Sequence, residues 1–303
     1  MSDKVVIFIL GVARSGTSAL ARVLSLCGCA LPAGLKQGNE GNPGGYWESL
    51  EVEKLSNEFF LRHETTYADP TLTLQGELPF TQEETHLCIG QIRDFLSRCP
   101  QGAPLLIKDP RIVVLFDFWM QAARAEGFKV KVIVALRHPM EVAASLGAWA
   151  ARATSPASLE LRQAIWLKYN LLSERYSREA PCVFTEYSNL LDDWKFQVAR
   201  ISRALELDLT TDAAAEVDAF LSPDLHRQRY EGPITDAFGY PWVSDTYSIL
   251  ARAARDQPLD VARLDEIFRA YRTCERAFRT SLDDWRGRLA ARAPRESSPV
   301  AAS

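Results

Sequence analysis

The sequence predicts an α/β fold of three layers, a parallel sheet with helices on both faces, and two observations carry that expectation. Four short apolar runs stand apart along the chain: Val5–Leu10, Leu105–Ile107, Val130–Leu136 and Cys182–Thr185. Each is followed by a polar motif and then by a segment of helical pattern. Strands that are apolar throughout are buried on both faces, and strands alternating with helices assemble in parallel. Ligands of such sheets bind outside the carboxyl ends of the strands. Those ends are Gly11–Ser18, Lys108–Arg111, Arg137–Pro139 and Glu186–Leu191.

The elements follow in order. After the first run, Leu20, Val23, Leu24 and Cys27 fall on one helical face. Residues Leu31–Pro43, rich in Gly and Asn, lead into an amphipathic helix from about Ser49 to Arg62. Pro79–Cys99 reads as a further helix, and Val142, Leu146 and Trp149 mark one after the third run. Helical pattern returns over Leu159–Arg178 and Asp212–Leu221. Tyr230–Tyr247, "YEGPITDAFGYPWVSDTY", is an aromatic loop punctuated by Gly and Pro, expected to act as a lid or an acceptor surface. A last helix from about Asp260 to Leu289 forms a helical C-terminal extension. Residues 1–290 are read as a single domain, and 291–303, which end in "APRESSPVAAS", as a disordered tail.

Composition narrows the function. The 303 residues carry a net charge of −4, which gives no overall attraction to nucleic acid or to an anionic membrane. The apolar run at the start, Val5–Leu10, is too short for a signal segment or a membrane span, so a cytoplasmic location without a membrane anchor is expected. Six cysteines are scattered, and the pair Cys27 and Cys29 has no histidine or second cysteine pair nearby to complete a zinc site. Reduced, partly buried thiols and no metal are the expectation.

The stretch Gly11–Ser18, "GVARSGTS", has the spacing of a phosphate loop, but Thr17 stands where nucleotide triphosphatases place a lysine. The cation, Arg14, comes earlier, and Ser15, Thr17 and Ser18 add hydroxyls around Gly16. Backbone N–H groups of such a loop and the following helix start wrap an anion. This cradle suits one terminal phosphate-like group better than a magnesium-bound triphosphate. At the third strand end, Arg137 and Ser145 are spaced to grip a second phosphate from a strand end and the next helix.

The "RSGTS" loop resembles the 5′-phosphosulfate loop of sulfotransferases that use 3′-phosphoadenosine 5′-phosphosulfate (PAPS), and the R-x-P-x5-S pattern at Arg137–Ser145 resembles their 3′-phosphate element. "KDP" at Lys108 resembles the tyrosylprotein and bacterial carbohydrate enzymes, in which the lysine faces the transferring group. "VFTEYSNLL" resembles the family's "YEDLL" segment, with Tyr187 at the tyrosine and Ser188 replacing the usual glutamate. The set looks closest to bacterial enzymes that modify glycans or small metabolites. The resemblance, over Val5–Trp194, implies a P-loop NTPase-like sulfotransferase fold, PAPS as donor and 3′,5′-adenosine bisphosphate (PAP) as product.

It also implies roles. Arg14, Ser15, Gly16, Thr17 and Ser18 hold the 5′-phosphosulfate, and Arg137 with Ser145 holds the 3′-phosphate. Lys108 stabilises the leaving group, and Asp109 is placed to orient Lys108 or Arg111 as an ion pair; the alternative for both Lys108 and Asp109 is a structural salt bridge at the strand end. Tyr187 touches the nucleotide or is buried structurally, and Trp166 and Tyr169 stack a ring or pack the core. His63, His86, His138 and His226 match no base, whereas Glu48, in "GNPGGYWES", fits a carboxylate base desolvated by Tyr46 and Trp47. Its alternative is a glutamate favoured at a helix start, and Glu51 and Glu53 are weaker substitutes. The acceptor expected is a hydroxyl on a glycan, glycolipid or small metabolite. The competing readings are an atypical P-loop kinase or NTPase and a non-catalytic module that binds adenosine bisphosphate.

Overall fold

A computed structural model describes residues 4–39, 42, 44–76, 80–153, 156–221 and 229–292. Its sheet comprises β1 (Val5–Leu10), β2 (Leu105–Lys108), β3 (Lys129–Leu136) and β4 (Cys182–Glu186) in the order β2-β1-β3-β4. Every pairing is parallel, with Phe8 opposite both Ile107 and Val132, and Ile133 opposite Val183. Each apolar run read from the sequence is therefore a strand, shifted by at most one residue at an end.

The helices are α1 (Thr17–Leu26), α2 (Leu50–Arg62), α3 (Gln82–Ser97), α4 (Phe116–Ala125), α5 (Pro139–Ala153) and α6 (Leu159–Ser177). Then follow α7 (Tyr187–Asp192), α8 (Trp194–Ala204), α9 (Ala214–Phe220), α10 (Trp242–Ala253) and α11 (Val261–Arg292). A six-residue 3₁₀ helix, Pro110–Leu115, joins β2 to α4. Alternation along β1 divides the core in two. Val6, Phe8 and Leu10 pack with α2, α3, α4, α6, α10 and α11, whereas Ile7 and Ile9 pack with α1, α8 and α9. The sheet is thus covered on both faces, the three-layer arrangement expected.

One expectation is corrected. The loop Tyr230–Tyr247 ends at Pro241, because α10 begins at Trp242. The Asp236 carboxylate accepts the N–H groups of Val243 and Ser244, at 2.9 and 3.1 Å, and so satisfies donors at that helix start. Val243, Thr246, Ile249, Leu250 and Ala253 then form its buried stripe. Helix α11 runs through Arg292, two residues into the segment read as tail. The rest of that tail, and His226, lie outside the described residues.

Two glycines let the strand ends close around a site. Gly11 sits at φ 145°, and a Cβ there would lie 2.5 Å from the Ala135 carbonyl oxygen on β3. Gly16, at φ 79°, would drive a Cβ to 2.1 Å from the Tyr187 ring. Only glycine permits both the left-handed turn and the contact with Tyr187.

Candidate active site

The carboxyl ends of the strands open into one cleft. Its wall includes Arg14, Gly16, Thr17, Ser18, Glu48, Lys108, Arg137, Ser145 and Tyr187. Ser15 is buried beneath the same loop, and its hydroxyl has no hydrogen-bond partner among the described residues. Helix α1 starts directly after Gly16, so its first N–H groups, which have no partner within the helix, are available to an anion. Arg14 lies on the loop at φ 73° and donates from Nε to the Ser145 hydroxyl at 2.9 Å. The two grips read separately from the sequence, 131 residues apart, are thereby in direct contact.

Arg137 leaves β3 between these groups. Its Nη1 donates to the Arg14 carbonyl at 3.1 Å, and its Nε pairs with Glu141 at 2.7 Å. The guanidinium lies 4.8 Å from the centre of the Tyr187 ring. Pro139 opens α5, where a missing N–H costs nothing, and the helix carries Ser145 back over the cleft.

On the β2 side, Lys108 is nearly enclosed. Its ammonium donates to Glu48 at 2.6 Å, to the Tyr46 carbonyl at 2.9 Å and to Ser18 at 3.1 Å. Glu48 arrives there because Trp47 takes a left-handed turn at φ 58°, fixed by its indole N–H donating to the Gly44 carbonyl at 2.9 Å. The Glu48 carbonyl then accepts from the Lys36 N–H at 2.8 Å. Glu48 lies just ahead of the Ser49 N-cap of α2, so it is adjacent to a helix start as well as paired with a lysine. A second cation stands behind it. Arg111 lies 3.7 Å from Glu48, 2.7 Å from Asp109 and 2.9 Å from Glu53, which in turn pairs with Lys36 at 2.8 Å. Burial pushes the Asp109 carboxyl up to about 6, while Arg111 pulls it down.

A scan against protein-family models matches the sulfotransferase family over residues 7–212, more than half of the chain. The chain belongs to the sulfotransferase family. The match covers the loop, the Glu48–Lys108 pair and the Arg137–Ser145 grip of this sulfotransferase. It is similar in structure to the "Sulfotransferase Domain from the Synechococcus PCC 7002 Olefin Synthase" at 19% identity and TM-score 0.43, over 88% of this chain and 96% of that one. A "Sulfotransferase Domain from the Curacin Biosynthetic Pathway" gives 13% identity and TM-score 0.44, over 82% and 99%. At these scores the two likenesses add nothing to the family assignment. No curated protein matches the sequence.

The sulfotransferase brings every predicted site residue to the cleft, Ser15 just beneath it. Trp166 and Tyr169 are fully buried in the core, which resolves their open alternatives as packing. Among the described histidines none lines the cleft. His138 packs against Tyr247 and Tyr230, with ring centres 4.8 and 5.4 Å away, and burial holds its pKa down. Asp109, offered as a partner for Lys108 or Arg111, pairs with Arg111. Sequence reading missed Glu141 beside Arg137 and the link from Arg111 to Glu48 and Glu53. The spacing of Arg137 and Glu141, four residues apart across a helix start, was the one available signal for the first. Trp149, 47% exposed, stands on the cleft wall beside Ala148. Among the described residues no group of His, Cys, Asp and Glu is arranged to hold a metal, and no helix is long and apolar enough to cross a membrane.

Proposed function

We propose that this sulfotransferase takes a sulfuryl group from PAPS and places it on an acceptor hydroxyl, with Glu48 as the base. The observation that carries the reading is the meeting of two anion grips and a buried carboxylate–ammonium pair in one cleft. The donor fits the residues present. The unpartnered Ser15 hydroxyl, the start of α1 and Arg14 suit its 5′ end, and Arg137 with Ser145 suits a separate 3′-phosphate. Thr17 in the lysine position favours this donor over ATP with magnesium.

PAPS supplies an activated sulfuryl group whose in-line transfer gathers negative charge on the departing phosphate oxygen. Lys108 provides a fixed ammonium for that charge, a contribution larger in the transition state than in the ground state. Glu48 takes the proton of the acceptor hydroxyl. Their contact at 2.6 Å, shielded from water, keeps each beside an opposite charge until substrates separate them. The exposed Trp149 offers the acceptor a wall. Glycans, glycolipids and small metabolites are the acceptor classes proposed, with a cytoplasmic place of action and PAP as the released product.

The test uses labelled PAPS with a panel of sugar, lipid and phenolic hydroxyls. Glu48→Gln is expected to bind PAP as the wild type does and to lose transfer by roughly 10²–10⁴-fold. Full transfer by that variant removes Glu48 as the base.

A further inference from the structure

Glu141 is buried and belongs to neither anion grip, yet it touches both the second grip and a remote segment. One carboxylate oxygen, Oε2, accepts from Arg137 Nε at 2.7 Å. The other, Oε1, accepts from the Tyr230 backbone N–H at 3.2 Å, 89 residues further along the chain. The Tyr230 ring also lies 5.4 Å from that of His138, the residue after Arg137. The segment entering at Tyr230 is therefore fastened at the start of α5 by a backbone bond and a ring contact.

A carboxylate beside a phosphate-binding arginine is an electrostatic cost, since it opposes the anion that the arginine is there to bind. Orientation is what offsets this cost. Arg137 is held along one edge by Glu141, at Nη1 by the Arg14 carbonyl, and on its face by Tyr187. A guanidinium fixed in plane recognises a phosphate with its donors already aimed, and it loses less freedom on binding.

Resting on the PAPS reading above, we propose that Glu141 is a positioning residue, which aims Arg137 at the donor's 3′-phosphate and couples occupancy of that site to the segment beginning at Tyr230. A phosphate on Arg137 stiffens the Arg137–Glu141 pair, and Glu141 passes that constraint to the Tyr230 amide.

The test measures the affinity of the intact protein for PAP and for AMP, which lacks the 3′-phosphate, in wild type, Glu141→Ala and Glu141→Gln. Glu141→Ala is expected to weaken PAP about tenfold and leave AMP unchanged, so that the preference for PAP shrinks. Glu141→Gln keeps one acceptor oxygen, enough to hold Arg137 Nε, but has an NH2 in place of the other, so it is expected to restore PAP binding to near the wild-type level without restoring the link to Tyr230. Hydrogen exchange of a peptide spanning residues 229–241 is expected to slow when PAP binds the wild type, and not in Glu141→Ala. A wild type with no preference for PAP over AMP would overturn the two-phosphate reading itself. A normal wild-type preference that survives in Glu141→Ala would overturn only the positioning role, and so would failure of Glu141→Gln to restore it. PAP binding that leaves exchange at 229–241 unchanged would overturn the coupling.

Discussion

The two sides of the cleft hold their cations in different ways. At the ends of β1 and β3, Arg14 rests on a hydroxyl, and Arg137 on a carbonyl, one carboxylate and the face of a ring. At the end of β2, Lys108, Arg111 and Lys36 interlock with Glu48, Asp109 and Glu53. On the first side one of these contacts is to a charge, Glu141 on Arg137, and the others are to a hydroxyl, a carbonyl and a ring face. The second is internally matched, and its charges steady one another. On the proposed function, the difference assigns the cations of one cleft to separate ends: ligand affinity on one side, and on the other the integrity of the Glu48–Lys108 pair.

Substitutions can break this contrast or sharpen it. The largest effect on stability is expected at Arg111. Arg111→Met leaves Asp109 and Glu53 without their buried partner, and removing one member of a buried ion pair costs about 3–5 kcal/mol. Chemical denaturation reads this directly, and a loss below 1 kcal/mol would mean that the β2 side is not a matched unit. Arg14→Ala is expected to do the reverse. Both residues carry a Cβ, so the strain at φ 73° is unchanged, and folding stability stays close to the wild type. PAP affinity falls roughly 10–100-fold, the worth of a hydrogen bond to a charged group, as titration calorimetry would register. Smallest is Ser145→Ala. It removes the hydroxyl that Arg14 rests on, and about 1 kcal/mol of PAP binding, several-fold in affinity, should go with it. An effect on stability larger than on affinity at Ser145 would blur the distinction between the two sides.

The strands and the glycine-containing turn after β1 were legible in the sequence because their physical requirements are local. A strand covered on both faces is apolar along its length, and the turn's hydroxyls flank Gly16 in four consecutive residues, Ser15–Ser18. Helix α4 escaped notice for the opposite reason. Its polar face is only Asp117, Gln121 and Arg124, and the buried Phe116, Phe118, Trp119, Met120, Ala122 and Ala123 run on from the apolar stretch Ile112–Leu115, which blurs the helical period. Helix α8 buries Gln197 and Arg200, and the latter is satisfied by Asp256 at 2.6 Å and by the carbonyls of Phe184 and Ala253, none of them a sequence neighbour. Helix α10 hides behind the "GYPW" punctuation, and its cap, Asp236, lies upstream in what reads as loop. In the site, the single residues were legible and their partnerships were not. Glu48 and Lys108 are 60 positions apart, and nothing in either segment says that they meet.

The central claim is that the cleft takes a nucleotide with phosphate groups at both 3′ and 5′ positions. Isothermal titration of the wild-type protein with 3′,5′-adenosine bisphosphate, and separately with ATP plus magnesium, tests it most directly. Micromolar binding of the bisphosphate, with little or none for ATP–magnesium, is the expected result. Tight binding of ATP–magnesium with none for the bisphosphate would contradict it.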